Sequence, residues 1–161
     1  MNQTASNRDV IFALNKCIET CTDAERGYAA ASADVRDIEL KRLFHDRSRQ
    51  RTEFAIALQA LIASLGSIPE NQGTFKGAAH RAWIEVRRAL DGNDRMVLEE
   101  CVRGETASLD TYRQAIERAT LVDMPREARE LINAQYRAIE NSLADLHNLI
   151  TPRAAPSAIS S

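Results

Sequence analysis

The chain has 161 residues, enough for one domain with a real core. Its formal charge of -2 supplies no general attraction to nucleic acid or to an anionic membrane surface. With 5% aromatics, six glycines and four prolines, turn formers are too scarce for a many-stranded sheet, and long helices are expected instead.

The first ten residues, MNQTASNRDV, lack the basic-then-apolar pattern of an export signal. No apolar run approaches the roughly 20 residues of a membrane span. The expected location is the cytoplasm, with no membrane span. A first helix is expected from about Asn7, with Ser6 or Asn7 as its cap. Its apolar stripe runs through Ile11, Leu14, Ile18, Cys21, Tyr28 and Val35, with Glu25 and Ser32 on the same stripe. The first six residues are expected to be flexible.

A short break around Asp34 to Asp37 leads into the second helix. Leu40, Leu43, Phe44, Phe54, Leu58, Leu61 and Leu65 mark its buried face, and Gly66 ends it. Arg42, Arg47, Arg49 and Arg51 crowd this helix. Such a run reads as a solvated helical face, so no nucleic-acid partner is expected. Residues 67–77 form a loop punctuated by Pro69, Gly73 and Gly77, and a short helix follows from about 78 to 90, carrying His80 and Trp83.

Asp91-Gly92-Asn93-Asp94 is a clear break, and Asp94 is the expected cap of the third helix. That helix carries Val97, Leu98, Cys101, Leu109, Tyr112 and Ile116, again with a carboxylate, Glu105, in the stripe. Met124-Pro125 marks the last boundary, Pro125 suiting a first helical position. The fourth helix shows Ala128, Leu131, Ile132, Ile139, Leu143, Leu146 and Ile150, interrupted by Gln135. Residues 151–161 are Pro-, Ala- and Ser-rich and are expected to be disordered. The pattern is an all-α antiparallel four-helix bundle over residues 7–150, with a short extra helix in the crossover between the second and third helices.

The informative residues are the polar ones on stripes that should be dry. Glu25 and Glu105 each follow a cysteine by one turn, as Cys21-x3-Glu25 and Cys101-x3-Glu105. Buried carboxylates facing across a bundle are how helical proteins hold two metal ions, with a Glu from two helices and Glu-x-x-His from the other two. The second half of that pattern is missing, because His45, His80 and His147 all lack an acid three residues before them. The expected reading is a buried polar layer of Glu25, Arg47, Gln50, Arg51, Glu105 and Gln135, with guanidinium groups neutralising the acids and Tyr28 and Tyr112 donating hydrogen bonds. The alternative is an iron or manganese site built from Glu25, Glu53, Glu100 and Glu105, with His80. Cys17 and Cys21 share a helical face and suit a soft metal or simple burial as small apolar groups. No phosphate loop, nucleophile-plus-base spacing or CxxC pair is present.

Several stretches carry a likeness: ERGYAAA in the first helix, LKRLF and RTEFAIAL in the second, SLGSIPENQGTFKGAAHRAW after it, and EECVRGE in the third. On these the chain resembles the DUF2383 family of bacterial ferritin-like four-helix bundles, over roughly residues 8 to 150. The resemblance implies a ferritin-like fold and brings no established activity with it. Relatives in the wider ferritin-like group often bind iron through carboxylates and histidines. Leu143 stands where the resemblance leads one to expect a histidine in many members. The expected function is therefore a non-enzymatic structural, interaction or stress-related protein, a homo-oligomer and specifically a dimer, without cofactor. The alternative is a metal-binding bundle with iron or manganese, and a third reading is a small hydrophobic ligand in the core.

Overall fold

The structure is a computed structural model that describes residues 3–70 and 93–152. The expected short helix, His80, Trp83 and the tail beyond 152 lie outside the described residues. Four helices are present: α1 Gln3–Asp34, α2 Ile38–Ser64, α3 Asp94–Leu121 and α4 Arg126–Ile150. Among the described residues there is no strand.

Each helix end has a local cause. α1 begins four residues before the expected Asn7, because nothing in Gln3 to Ser6 breaks a helix. The Asp37 carboxylate caps α2, accepting from Glu39 N (2.7 Å) and Leu40 N (3.1 Å). α2 stops at Gly66, whose φ of 76° is left-handed. There Ser67 N donates to Ile62 O and Gly66 N to Ala63 O, which satisfies two carbonyls the helix would otherwise leave open. The cap of α3 is Asn93 rather than the expected Asp94. Asp94 instead accepts from Arg36 N (2.9 Å) and Asp37 N (3.0 Å), tying the start of α3 to the α1–α2 turn. Pro125 sits one place before α4, its carbonyl taking the first helical bond from Arg129 N.

Contacts between helices fix the topology. Ser32 and Glu25 of α1 meet Lys41 and Ser48 of α2, so these helices are antiparallel. Asp9, Cys21 and Tyr28 of α1 meet Arg118, Tyr112 and Glu105 of α3, so these are antiparallel too. α3 and α4 pair in the same sense, and so do α2 and α4. α2 and α3 therefore run parallel and occupy one diagonal of the bundle.

The core is two apolar clusters stacked along the axis. One gathers Leu14, Ile18, Leu58, Ile62, Leu109, Ile132 and Ile139. The other gathers Tyr28, Val35, Phe44, Val97, Leu98 and Leu146. Between them lie Arg51, Glu105 and Ser142, all buried. Burial of each large aliphatic side chain contributes about 1.5–3 kcal/mol. The two clusters thus hold the bundle, and the polar layer sits between two dry plugs.

Candidate functional site

The layer is built from all four helices around one acid. Glu105 on α3 and Arg51 on α2 are each 1% exposed, and Arg51 Nη2 binds Glu105 Oε1. The Tyr28 hydroxyl of α1 donates to the same oxygen. Arg51 Nη2 also reaches Ser142 Oγ on α4 (3.3 Å), and Nη1 donates to Gln50 Oε1 (3.1 Å). The guanidinium lies over the rings of Phe54 and Tyr28, 5.3 and 5.9 Å from their centres. That contact suits its flat, weakly hydrated faces. Glu105 Oε2 and Arg51 Nε are buried without a hydrogen-bond partner among the described residues.

A second polar chain lies deeper in the first cluster. The Tyr112 hydroxyl donates to Gln135 Oε1 (2.6 Å), and Gln135 Nε2 donates to the carbonyl of Phe54 (3.2 Å). Cys21 Sγ is 3.0 Å from the Tyr112 oxygen. The one phenolic proton is committed to Gln135, so the thiol is the donor in that contact. Burial pushes the Cys21 thiol up to about 11 and the Cys101 thiol up to about 12, and raises Cys17, Tyr28 and Tyr112 as well. All five stay protonated near neutrality, and the thiols behave as small apolar groups.

The expected layer is thus partly redistributed. Arg51, Gln50 and Glu105 come together, and Gln135 lies one step along in the Tyr112 chain. Glu25 does not join them. It is three residues from Tyr28, about 60° round the helix, and is partly exposed. Tyr28 takes the inward place, and Glu25 offers only its main-chain carbonyl, to Ser48 Oγ (3.0 Å). Arg47 is largely buried but pairs with the exposed Asp145, at 2.6 Å, rather than with Glu105. With one guanidinium at the axis, a second acid there would be uncompensated. Ser142 was not anticipated, although a small polar residue between Ile139 and Leu146 on the apolar stripe was a legible sign.

The alternative metal set is not brought together. The Glu53 side chain is 68% exposed beside Arg49, and Glu100 pairs with Arg103 at the surface. His80 lies outside the described residues. Among the described residues no three His, Cys, Asp or Glu side chains converge.

A family model described as "Domain of unknown function (DUF2383)" matches residues 9–118. The chain belongs to the DUF2383 family. Two solved structures show its fold. One is described as a crystal structure of ferritin like, diiron-carboxylate proteins from Bacillus anthracis str. Ames. It is 19% identical, with a TM-score of 0.70 over 94% of this chain and 100% of that one. The other is a Mycobacterium smegmatis Dps1 mutant, 16% identical, with a TM-score of 0.73 over 93% of this chain and 99% of that one. No curated protein matches the DUF2383 chain by sequence. The fold is ferritin-like, and at these identities the likeness speaks of fold alone.

The donor set at the axis does not fit a di-iron carboxylate centre. Such a centre draws acids from all four helices and imidazoles from two. Among the described residues the axis holds one carboxylate, and a guanidinium, a phenol and a serine hydroxyl surround it. Arg51 already supplies the positive charge that a metal ion would bring. What the arrangement does chemically is neutralise a buried acid and tie all four helices together in height.

Proposed function

We propose that this DUF2383 chain is a non-enzymatic ferritin-like bundle, a structural, interaction or stress-related protein that works as a cytoplasmic homodimer without a di-iron centre. The observation that supports this reading is the buried Arg51–Glu105 pair, in which a guanidinium rather than a cation neutralises the carboxylate between the two apolar clusters. Three buried free thiols suit a reducing compartment. No helix of the described residues is long and apolar enough to cross a membrane. For the dimer, Phe12 and Leu121 are 56% and 72% exposed and flank a groove between α1 and α3, two large apolar side chains that a second chain would cover.

The test is elemental analysis of the native protein, purified aerobically and again after incubation with ferrous or manganous salt, beside light scattering for subunit number. The expected result is far less than one metal ion per chain, and a dimer. One or two ions per chain, lost on Glu105→Gln, would overturn the reading and restore the iron or manganese alternative.

A further inference from the structure

The face shared by α1 and α3 carries a projection and, further along, a hollow. Phe12 of α1 and Leu121 of α3 project, 56% and 72% exposed, around a groove that also holds Lys16. The hollow is a cavity of about 260 Å³ between the same two helices, walled by Ala24, Gly27, Gly104 and Ala107, with Asp23 beside them. Both glycines sit inside long helices, where glycine weakens the helix relative to alanine. Neither has a positive φ, and a Cβ added at either meets nothing within 4 Å among the described residues. Backbone conformation and packing within one chain therefore do not account for them.

The two features are spaced to meet. Phe12 and Gly27 are about 23 Å apart along α1, and Leu121 and Gly104 about 26 Å apart along α3, at roughly 1.5 Å per residue. Their midpoints fall at Glu19–Thr20 and at Tyr112–Arg113. These lie at one height in the bundle, since Thr20 Oγ1 donates to Thr111 Oγ1 (3.2 Å). Lys16 and Asp23 are centred on the same point of α1. Lys16 is exposed and bonds Glu19 of its own chain (2.9 Å). Asp23 has no ion-pair partner among the described residues, and Glu19 and Arg26 act on it in opposite senses. The chain leaves α2 on a different flank of α1, where Glu70 N donates to Asn15 Oδ1 (3.3 Å), about 100° round the helix from Lys16.

We propose that this face binds a second copy of the chain about a two-fold axis at the height of Thr20 and Thr111, lying in the face and perpendicular to the helices. Such an axis lays α1 antiparallel on the partner's α1, and α3 antiparallel on the partner's α3. Phe12 then meets the partner's Gly27, and Leu121 meets the partner's Gly104, so each projection enters the other copy's hollow. A space of about 150 Å³ holds a benzene ring, and the hollow is larger than that. The same rotation sets Lys16 against the partner's Asp23, opposite charges on both sides of the axis. A surface that matches its own two-fold image is what an isologous interface needs. This pairing rests on the dimer proposed above and adds its surface and register.

The test is disulfide trapping of the full chain under mild oxidation, read on denaturing gels, beside light scattering. The native thiols are all buried, so the parent is the unlinked control. Thr20→Cys lies next to the axis and is expected to link to its own copy. Phe12→Cys lies about 23 Å from its own copy, far past the roughly 7 Å that a disulfide spans, and is expected to link only when mixed with Gly27→Cys. Gly104→Leu fills the hollow where a single methyl does not, and is expected to weaken the dimer at least about tenfold while the helical circular dichroism persists. Should that variant fail to fold, the linking patterns decide alone. A dimer that survives Gly104→Leu and gives no link at Thr20→Cys overturns this face and leaves the dimer itself standing. Self-linking by Phe12→Cys overturns the register. A monomeric parent overturns the dimer as well, and a lower melting temperature in Gly104→Leu then assigns the hollow to residues 71–92.

Discussion

Arg51 and Glu105 pair across the diagonal of the bundle, on two helices that are not neighbours. A long guanidinium side chain is what reaches over the axis, and Tyr28 and Ser142 complete the layer from the other two helices. A buried ion pair is a weak source of net stability, since desolvation offsets most of the attraction. Its effect is on register. Sliding one diagonal helix by a turn would leave an acid or a guanidinium alone between two apolar clusters.

This gives a double-mutant test. Arg51→Met strands Glu105 in the dry core and is expected to cost about 3–5 kcal/mol of unfolding free energy. Arg51→Met combined with Glu105→Leu removes both charges and is expected to recover most of that loss. Urea titrations of the four proteins decide it. A double variant as unstable as the sum of the singles would show that the pair is not the coupling element.

The Tyr112 chain is tested by Tyr112→Phe. The ring stays packed, but Gln135 Oε1 loses its donor and the Cys21 thiol loses its acceptor. The expected loss is about 1–3 kcal/mol, the range for leaving buried polar groups unsatisfied. A melting temperature within a degree of the parent would mean that water replaces the phenol.

Alkaline pH is expected to destabilise the fold. The buried thiols of Cys21 and Cys101 ionise near 11 and 12 in the folded chain, against 9.0 when free. Burial raises Cys17 and Tyr28 in the same direction. The folded state then holds protons that the unfolded state has released. Stability is full below about pH 9 and falls as pH climbs toward the folded values, by up to about 1.4 kcal/mol per pH unit for each group. Melting curves between pH 7 and 11 measure this, and a flat profile above pH 9 would contradict it.

Two glycines should respond in opposite ways to one methyl group. Gly66 has a φ of 76°, so Gly66→Ala is strained and is expected to lose about 1 kcal/mol. Gly104 is helical, so Gly104→Ala is expected to gain about 0.5–1 kcal/mol. In both places the new Cβ meets nothing within 4 Å among the described residues, so backbone preference alone separates them. Equal shifts in chemical denaturation would remove that explanation.

Most of the architecture was legible because periodicity is a local property. Apolar spacing marks Cys21, Leu58, Leu109 and Ile139 as one kind of residue, and the Gly66 and Asp37 boundaries follow from turn chemistry that needs only near neighbours. The polar layer was half legible. Arg51 and Glu105 stand on their stripes as charges without a local partner, which announces a meeting across the bundle. The role of Asp94 was not legible, because Asn93 and Asp94 are equivalent as capping residues until the α1–α2 turn is brought beside them.

The order of side chains along the chain determined by itself that this is a bundle of amphipathic helices, and where each helix stops. Only the packed structure decided which acid is buried. Glu25 and Glu105 have the same spacing from a cysteine, yet about 60° of helix rotation and a competing tyrosine put one on the flank and the other at the axis. Rotation and height are set when helices press on one another, and Arg51 reaches one carboxylate there, Glu105.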